Sequence, residues 1–184
     1  MLISKFSTHG IEEEVIALEE TLMITLPEHY RKFLLRYNGG ETPKTEFKIG
    51  RESSDLRAFF GLGDVAYCMT KEVELDSLVK KQMIPIATDS FGNYITIGIG
   101  NENFGKIYFC DHEKSYSETL LSEDLKEFVV HCKSKKIGKI LTLEEREKMV
   151  LEAGRVKITN GLRKLWQEEI NKYSNIKQER VVID

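Results

Sequence analysis

The sequence predicts an α+β fold: a central, mostly antiparallel sheet accompanied by helices, with a helical extension at the C-terminal end. The first observation is a strand pattern in the stretch 83–113. Ile95, Ile97 and Ile99 alternate with Tyr94, Thr96 and Gly98, the period of two that a strand with one buried face requires. The run 106–110 repeats it, with Ile107 and Phe109 on one face. Between them lies Gly100-Asn101-Glu102-Asn103-Phe104-Gly105, whose Gly and Asn residues accept positive φ at little strain. This spells a β-hairpin at the centre of a sheet, preceded by a turn at Asp89-Ser90-Phe91-Gly92-Asn93. The second observation is helical spacing on both sides of it: Ile11, Val15, Leu18 and Leu22 before, and Leu125, Phe128, Val129 and Cys132 after.

Taken in order, residues 8–22 read as a half-buried helix, with Thr8 as its cap and glutamates on its outer faces. Pro27 suits the first turn of a second helix, where its missing N–H is harmless. Tyr30, Phe33, Leu34 and Tyr37 give that helix its apolar face, and Asn38-Gly39-Gly40 ends it. Residues 46–49 and 58–62 read as short strands separated by a polar loop at 50–55. Over 64–81 the residues Val65, Met69, Val73 and Leu78 fit a helix only loosely. After the hairpin, Ser122 is the expected cap of a helix running to about Ser134.

The sequence divides into two parts, a domain over residues 1–137 and a helical extension over 138–184 expected to pack on it. The first carries 17 Lys/Arg and 22 Asp/Glu, a net charge of −5; the second carries 10 and 8, a net charge of +2. In the extension Thr142 and Glu145 form a capping box for a helix to about Ala153, and Gly154 breaks it. Asn160 is the expected cap of a second helix with Leu162, Leu165, Trp166, Ile170 and Tyr173 on one face. Val181-Val182-Ile183 reads as an edge strand.

Composition narrows the function. With 184 residues, 41% of them hydrophobic and 31% charged, the chain can bury a core as one domain with an appendage. A net charge of −3 disfavours direct nucleic-acid binding, which needs a concentrated basic face. No apolar run reaches the roughly 20 residues of a membrane span, and the N-terminus lacks the apolar core of a signal peptide. Three dispersed cysteines, Cys68, Cys110 and Cys132, suit free thiols in a reducing cytoplasm.

No constellation for catalysis emerges. His9, His29, His112 and His131 are dispersed, and no cysteine pair has zinc-site spacing. Cys110-Asp111-His112 lies at a strand end, where neighbouring side chains point oppositely, so a metal site there is not expected. No nucleophile elbow, phosphate loop or dinucleotide fingerprint is present. Asp89, Asp111 and Glu113 flank the hairpin and would serve acid–base chemistry only if close together and desolvated; turn acids are far more often solvated. No cofactor is expected. The stripe around Trp166 would pack on the parent domain or bind a partner or a second copy.

The order of motifs is also informative. Leu26-Pro27, Tyr30, Phe33-Leu34 and Tyr37-Asn38-Gly39-Gly40 are followed by Ile84-Pro85-Ile86-Ala87 with Asp89, Gly92 and Asn93, then by Ile107-Tyr108 ahead of Asp111-His112-Glu113. Over about residues 8–134 this resembles the SUKH superfamily, the bacterial relatives of the yeast Smi/Knr cell-wall regulators. The resemblance implies an α+β fold with a sheet backed by helices. It also implies a non-enzymatic immunity protein that binds and neutralises a cognate toxin, such as a nuclease, or else a scaffold or regulatory module of the Smi/Knr type. The residues expected to meet the partner are Asp89, Ser90, Asn93, Asp111, His112 and Glu113 at the hairpin ends, with Trp166 in the extension. An acidic inhibitor would speed encounter with a basic toxin.

Overall fold

The computed structural model describes residues 1–72, 75–114, 116–154, 157–174 and 176–184, without the side chain of residue 72. Val73, assigned above to a loose helical pattern, lies outside the described residues. The chain forms two compact units, Met1–Lys136 with Gln178–Asp184, and Ile137–Lys177.

The first unit is α+β. Its strands are β1 (Leu2–Lys5), β2 (Gly40–Ile49), β3 (Glu52–Phe59), β4 (Met83–Thr88), β5 (Tyr94–Gly98), β6 (Ile107–Asp111), β7 (Ser117–Ser122), β8 (Lys133–Ser134) and β9 (Glu179–Arg180). They hydrogen-bond in the order β7-β6-β5-β4-β3-β2-β1-β9, with β8 beside β2, and every pairing is antiparallel. The expected hairpin is β5–β6, with Ile95 opposite Phe109 and Ile97 opposite Ile107, but it lies beside the β7 edge and not at the centre of the sheet, where β4 and β3 sit. β4 and β7 extend the sheet on either side of the hairpin, and the sequence pattern predicts neither strand. The loop expected at 50–55 shrinks to residues 50–51, because β2 and β3 pair as far as Ile49 opposite Glu52.

Helices α1 (Ile11–Leu22), α2 (Glu28–Tyr37) and α5 (Leu125–His131) supply apolar faces to the core. Phe33 of α2 lies 5.0 Å from Phe59 of β3, and Phe47 of β2 lies 5.5 Å from Phe128 of α5, measured between ring centroids. Two short helices, α3 (Met69–Glu72) and α4 (Leu75–Lys80), precede β4. Two expected caps in this unit differ. The α1 N-cap position is Gly10, with no side-chain cap, because the Thr8 carbonyl, not its hydroxyl, meets the first turn at Ile11 N. The α5 cap is Asp124, whose carboxylate accepts from Glu127 N. Ser122 cannot cap, since it is the buried last residue of β7 and its hydroxyl donates to the Asp124 carbonyl.

Asn38 does more than stop α2. It adopts the left-handed conformation at φ 50°. Its Nδ2 donates to the carbonyls of Ser7 at 2.7 Å and Leu62 at 3.1 Å, and its Oδ1 accepts from Leu62 N at 2.8 Å. The next residue, Gly39, is also at positive φ, and an added Cβ would lie 2.6 Å from the Phe59 carbonyl oxygen. The Asn-Gly pair is thus fixed by a close crossing of three backbone segments.

The C-terminal residues return to this unit. β9 pairs with β1 through Glu179 and Arg180, ahead of the expected strand at 181–183. Val181 and Ile183 are buried, and Val182 N donates to the Tyr37 hydroxyl at 2.9 Å.

The second unit holds α6 (Leu143–Glu152) and α7 (Asn160–Tyr173). The Thr142–Glu145 capping box forms as expected. α7 is capped one residue earlier than expected, by Thr159, whose hydroxyl accepts from Leu162 N. Ion pairs Arg146–Glu169 at 2.7 Å and Arg163–Glu147 at 2.5 Å join the two helices.

Candidate functional site

The turn between β4 and β5 is built around one carboxylate. Asp89 is 2% exposed. Its Oδ1 accepts from Phe91 N at 2.9 Å and Asn93 N at 2.8 Å, and its Oδ2 accepts from Ser54 Oγ and Asn93 Nδ2, both at 2.7 Å. Four donors occupy both oxygens, which is how a buried carboxylate avoids a large desolvation cost. The turn cannot slide relative to β3, because Ser54 lies on that strand.

The network continues across the sheet. Asn93 Oδ1 accepts from His112 N at 3.0 Å and lies 2.8 Å from His112 Nδ1. Because Asn93 Nδ2 is already a donor to Asp89, its Oδ1 is the acceptor, so the network assigns the ring proton to His112 Nδ1. In the neutral form of the exposed ring, Nε2 is then the acceptor. Asp55 accepts from Ser90 N at 3.0 Å and Ser90 Oγ at 2.5 Å. Asp111 accepts from Glu113 N at 3.0 Å and Lys114 Nζ at 2.7 Å. The Lys114 ammonium holds the Asp111 carboxyl below the usual carboxylate range.

The structure therefore brings Asp89, Ser90, Asn93, Asp111, His112 and Glu113 to the same end of β4, β5 and β6, and places Trp166 in the other unit. Asp89 and Asn93 are buried and hold the loops; Ser90, His112 and Glu113 are exposed. Sequence reasoning missed the apolar part of this surface. Phe91, at the tip of the turn, is 68% exposed. Beside it a cleft of about 380 Å³ is lined by Arg57, Phe60, Tyr67 and Tyr94. The Arg57 guanidinium lies 5.4 Å from the Tyr67 ring centroid, and Tyr94 stacks on Tyr116 at 5.6 Å. The available signal was an aromatic residue between Ser90 and Gly92, inside a turn where polar residues are the rule.

This arrangement suits binding. A general acid needs a raised carboxyl pKa, whereas that of Asp111 is lowered. Cys110 and Cys132 are buried and their thiols are pushed up, that of Cys132 to about 12, the reverse of an activated nucleophile. Among the described residues no group of three or more His, Cys, Asp or Glu could hold a metal ion. No helix among them is long and apolar enough to cross a membrane.

In comparisons with known proteins, a family model described as SMI1-KNR4 cell-wall matches residues 12–129, from α1 into α5. No curated protein and no solved structure matches at a significant level.

Proposed function

The chain belongs to the SMI1-KNR4 cell-wall family of the SUKH superfamily, and from that premise we propose that it is a non-enzymatic immunity protein that binds and neutralises a cognate protein toxin by covering its working surface. The family is generally non-catalytic. The observation that carries the reading is the surface at residues 89–93 and 111–114. Buried Asp89 and Asn93 fix its loops before any partner arrives, so binding sacrifices little conformational entropy. Phe91 stands on that frame, Arg57 and Tyr67 line the cleft beside it, and aromatic residues and Arg are enriched in interfaces. The first unit carries 18 Lys/Arg against 24 Asp/Glu, which favours encounter with a basic toxin.

The test is capture from a native-host lysate followed by expression of each stoichiometric partner alone. Immunity requires a partner that kills cells alone and spares them when this chain is co-expressed. Phe91→Asp should then weaken the complex by about tenfold or more, and unchanged affinity would remove the turn from the interface. If the captured proteins are harmless signalling or housekeeping proteins, the toxin reading fails.

A second reading, a scaffold or regulatory module, is favoured by the second unit. Neither α6 nor α7 buries a residue, and Met149, Leu151 and Leu165 are each more than half exposed. Apolar surface of this kind commonly marks partner sites.

A further inference from the structure

A groove of about 720 Å³ runs between α1 and the segment containing α3 and α4, sharing no lining residue with the cleft beside Phe91. Its floor is apolar, formed by Leu18, Leu22, Leu62 and Leu75, and Glu14 and Asp76 also line it. On α1 the lining positions 14, 17, 18, 21 and 22 follow helical spacing, so they form one stripe. By the same spacing Glu13 and Glu20 flank that stripe beside Ala17.

Most of the acids here have no ion-pair partner among the described residues. α1 contains five glutamates and no Lys, Arg or His. Glu19 is taken by Leu26 N and Arg31. Glu13, Glu14, Glu20 and Asp76 have no ion-pair partner among the described residues, and Lys80 is the one cation among the described lining residues. Directly after Leu22, Met23 is 91% exposed and holds φ 53°, a position where Gly or Asn is the usual occupant. Met23 is the left-handed cap of α1 and lies outside the groove lining.

We infer that this groove docks a basic amphipathic helix of a partner protein, with its apolar ridge against Leu18, Leu22 and Leu75 and its Lys/Arg flanks against Glu13, Glu14, Glu20 and Asp76. Its dimensions fall within the range of binding clefts, and an apolar floor with a charged rim is the helix-in-groove mode of recognition. The carboxylate rim repels acidic helices and phosphate backbones. The inference stands apart from toxin neutralisation, because it concerns another surface and a partner of any activity.

Two fluorescein-labelled 15-residue helical peptides of equal apolar ridge, one flanked by Lys/Arg and one by Glu, test it by anisotropy with the full chain. The basic peptide should bind about tenfold or more tightly than the acidic one and weaken in high salt. Ala17→Arg with Thr21→Arg, both at exposed lining positions, should abolish binding. The charge-reversed Glu13→Lys/Glu20→Lys pair should weaken it, while Phe91→Asp should leave it unchanged. Equal affinity for both peptides, no binding at 100 µM chain, or indifference to the α1 variants would overturn the inference. Self-association of the chain that the α1 variants abolish would overturn it too, by assigning the groove to a second copy.

Discussion

Asn93 Oδ1 lies 3.0 Å from the backbone nitrogen of His112 and 2.8 Å from its ring Nδ1, so one amide oxygen fastens the end of β6 to the turn that opens β5. Through Asn93 Nδ2 the same side chain holds Asp89. The site is a chain of buried polar groups whose exposed products are the Phe91 tip and the His112 ring.

Removing the centre of that chain is expected to be costly. Asp89→Ala strands donors from Ser54, Phe91 and Asn93, and should lower stability by about 2–4 kcal/mol. Urea unfolding checks this: the midpoint should fall with the slope unchanged. Asp111→Ala, on an exposed pair, should leave the midpoint near that of the parent. Equal effects of the two substitutions would contradict the network.

At Gly39 the backbone leaves no room for a side chain. Gly39→Ala combines positive φ with a collision against the Phe59 and Phe60 carbonyls, and should cost about 2–4 kcal/mol. Gly138→Ala, where a Cβ meets nothing within 4 Å, is the control. A thermal melt in which both variants match the parent would refute the close crossing.

The terminal segment is expected to be part of the first unit's stability. Val181 and Ile183 are buried, and each such side chain contributes about 1.5–3 kcal/mol. Truncation after residue 177 should lower the urea midpoint sharply. Tyr37→Phe, which removes the acceptor of Val182 N, should cost about 1–2 kcal/mol. A truncated chain as stable as the full one would show the segment to be ornamental.

Acid should loosen the helical pair of the second unit. Arg146 holds the Glu169 carboxyl below its usual range, and Lys139 with the Thr142 cap does so for Glu145. A depressed carboxyl pKa in the folded state stabilises above the unfolded value, about 4.3 for Glu, and that contribution is lost as pH falls through the lower folded value. Trp166, the only tryptophan, lies in this unit, so its fluorescence reports on it directly. The signal should change below about pH 4, and Glu169→Gln should shrink the change. A flat Trp166 signal down to pH 2 would be the contrary result.

Thiol chemistry should be silent in the native chain. Cys68, Cys110 and Cys132 are all buried. An exposed-thiol reagent should react slowly before unfolding and with all three cysteines after it. Rapid native labelling of any one would show that its surroundings open.

Much of the fold was legible in the sequence because its signals are local. The Ile95–Ile97 and Ile107–Phe109 alternation specified the hairpin, helical spacing specified α1, α2 and the body of α5, and the Thr142–Glu145 box specified the start of α6; α5 ends at His131 and not near Ser134 because Lys133 and Ser134 pair with β2. The missed strands show where local signals end. β4 is buried along most of its length and reads MIPIAT, a short apolar run with no alternation. β7 is exposed over its first four residues and carries no apolar face there. Each becomes a strand through its neighbours' hydrogen bonds.

The class of fold, the family pattern and the set of turn residues at 89–93 and 111–113 are written in local signals, since they follow from periodicity, turn chemistry and motif order. Tertiary structure alone decided that Asp89 and Asn93 turn inward while Phe91 turns out. It also decided that Asn38 clasps Ser7 and Leu62, and that the final residues return to pair with β1. Such choices depend on which donors and apolar surfaces arrive from distant parts of the chain, and a buried carboxylate is tolerated only where those donors converge.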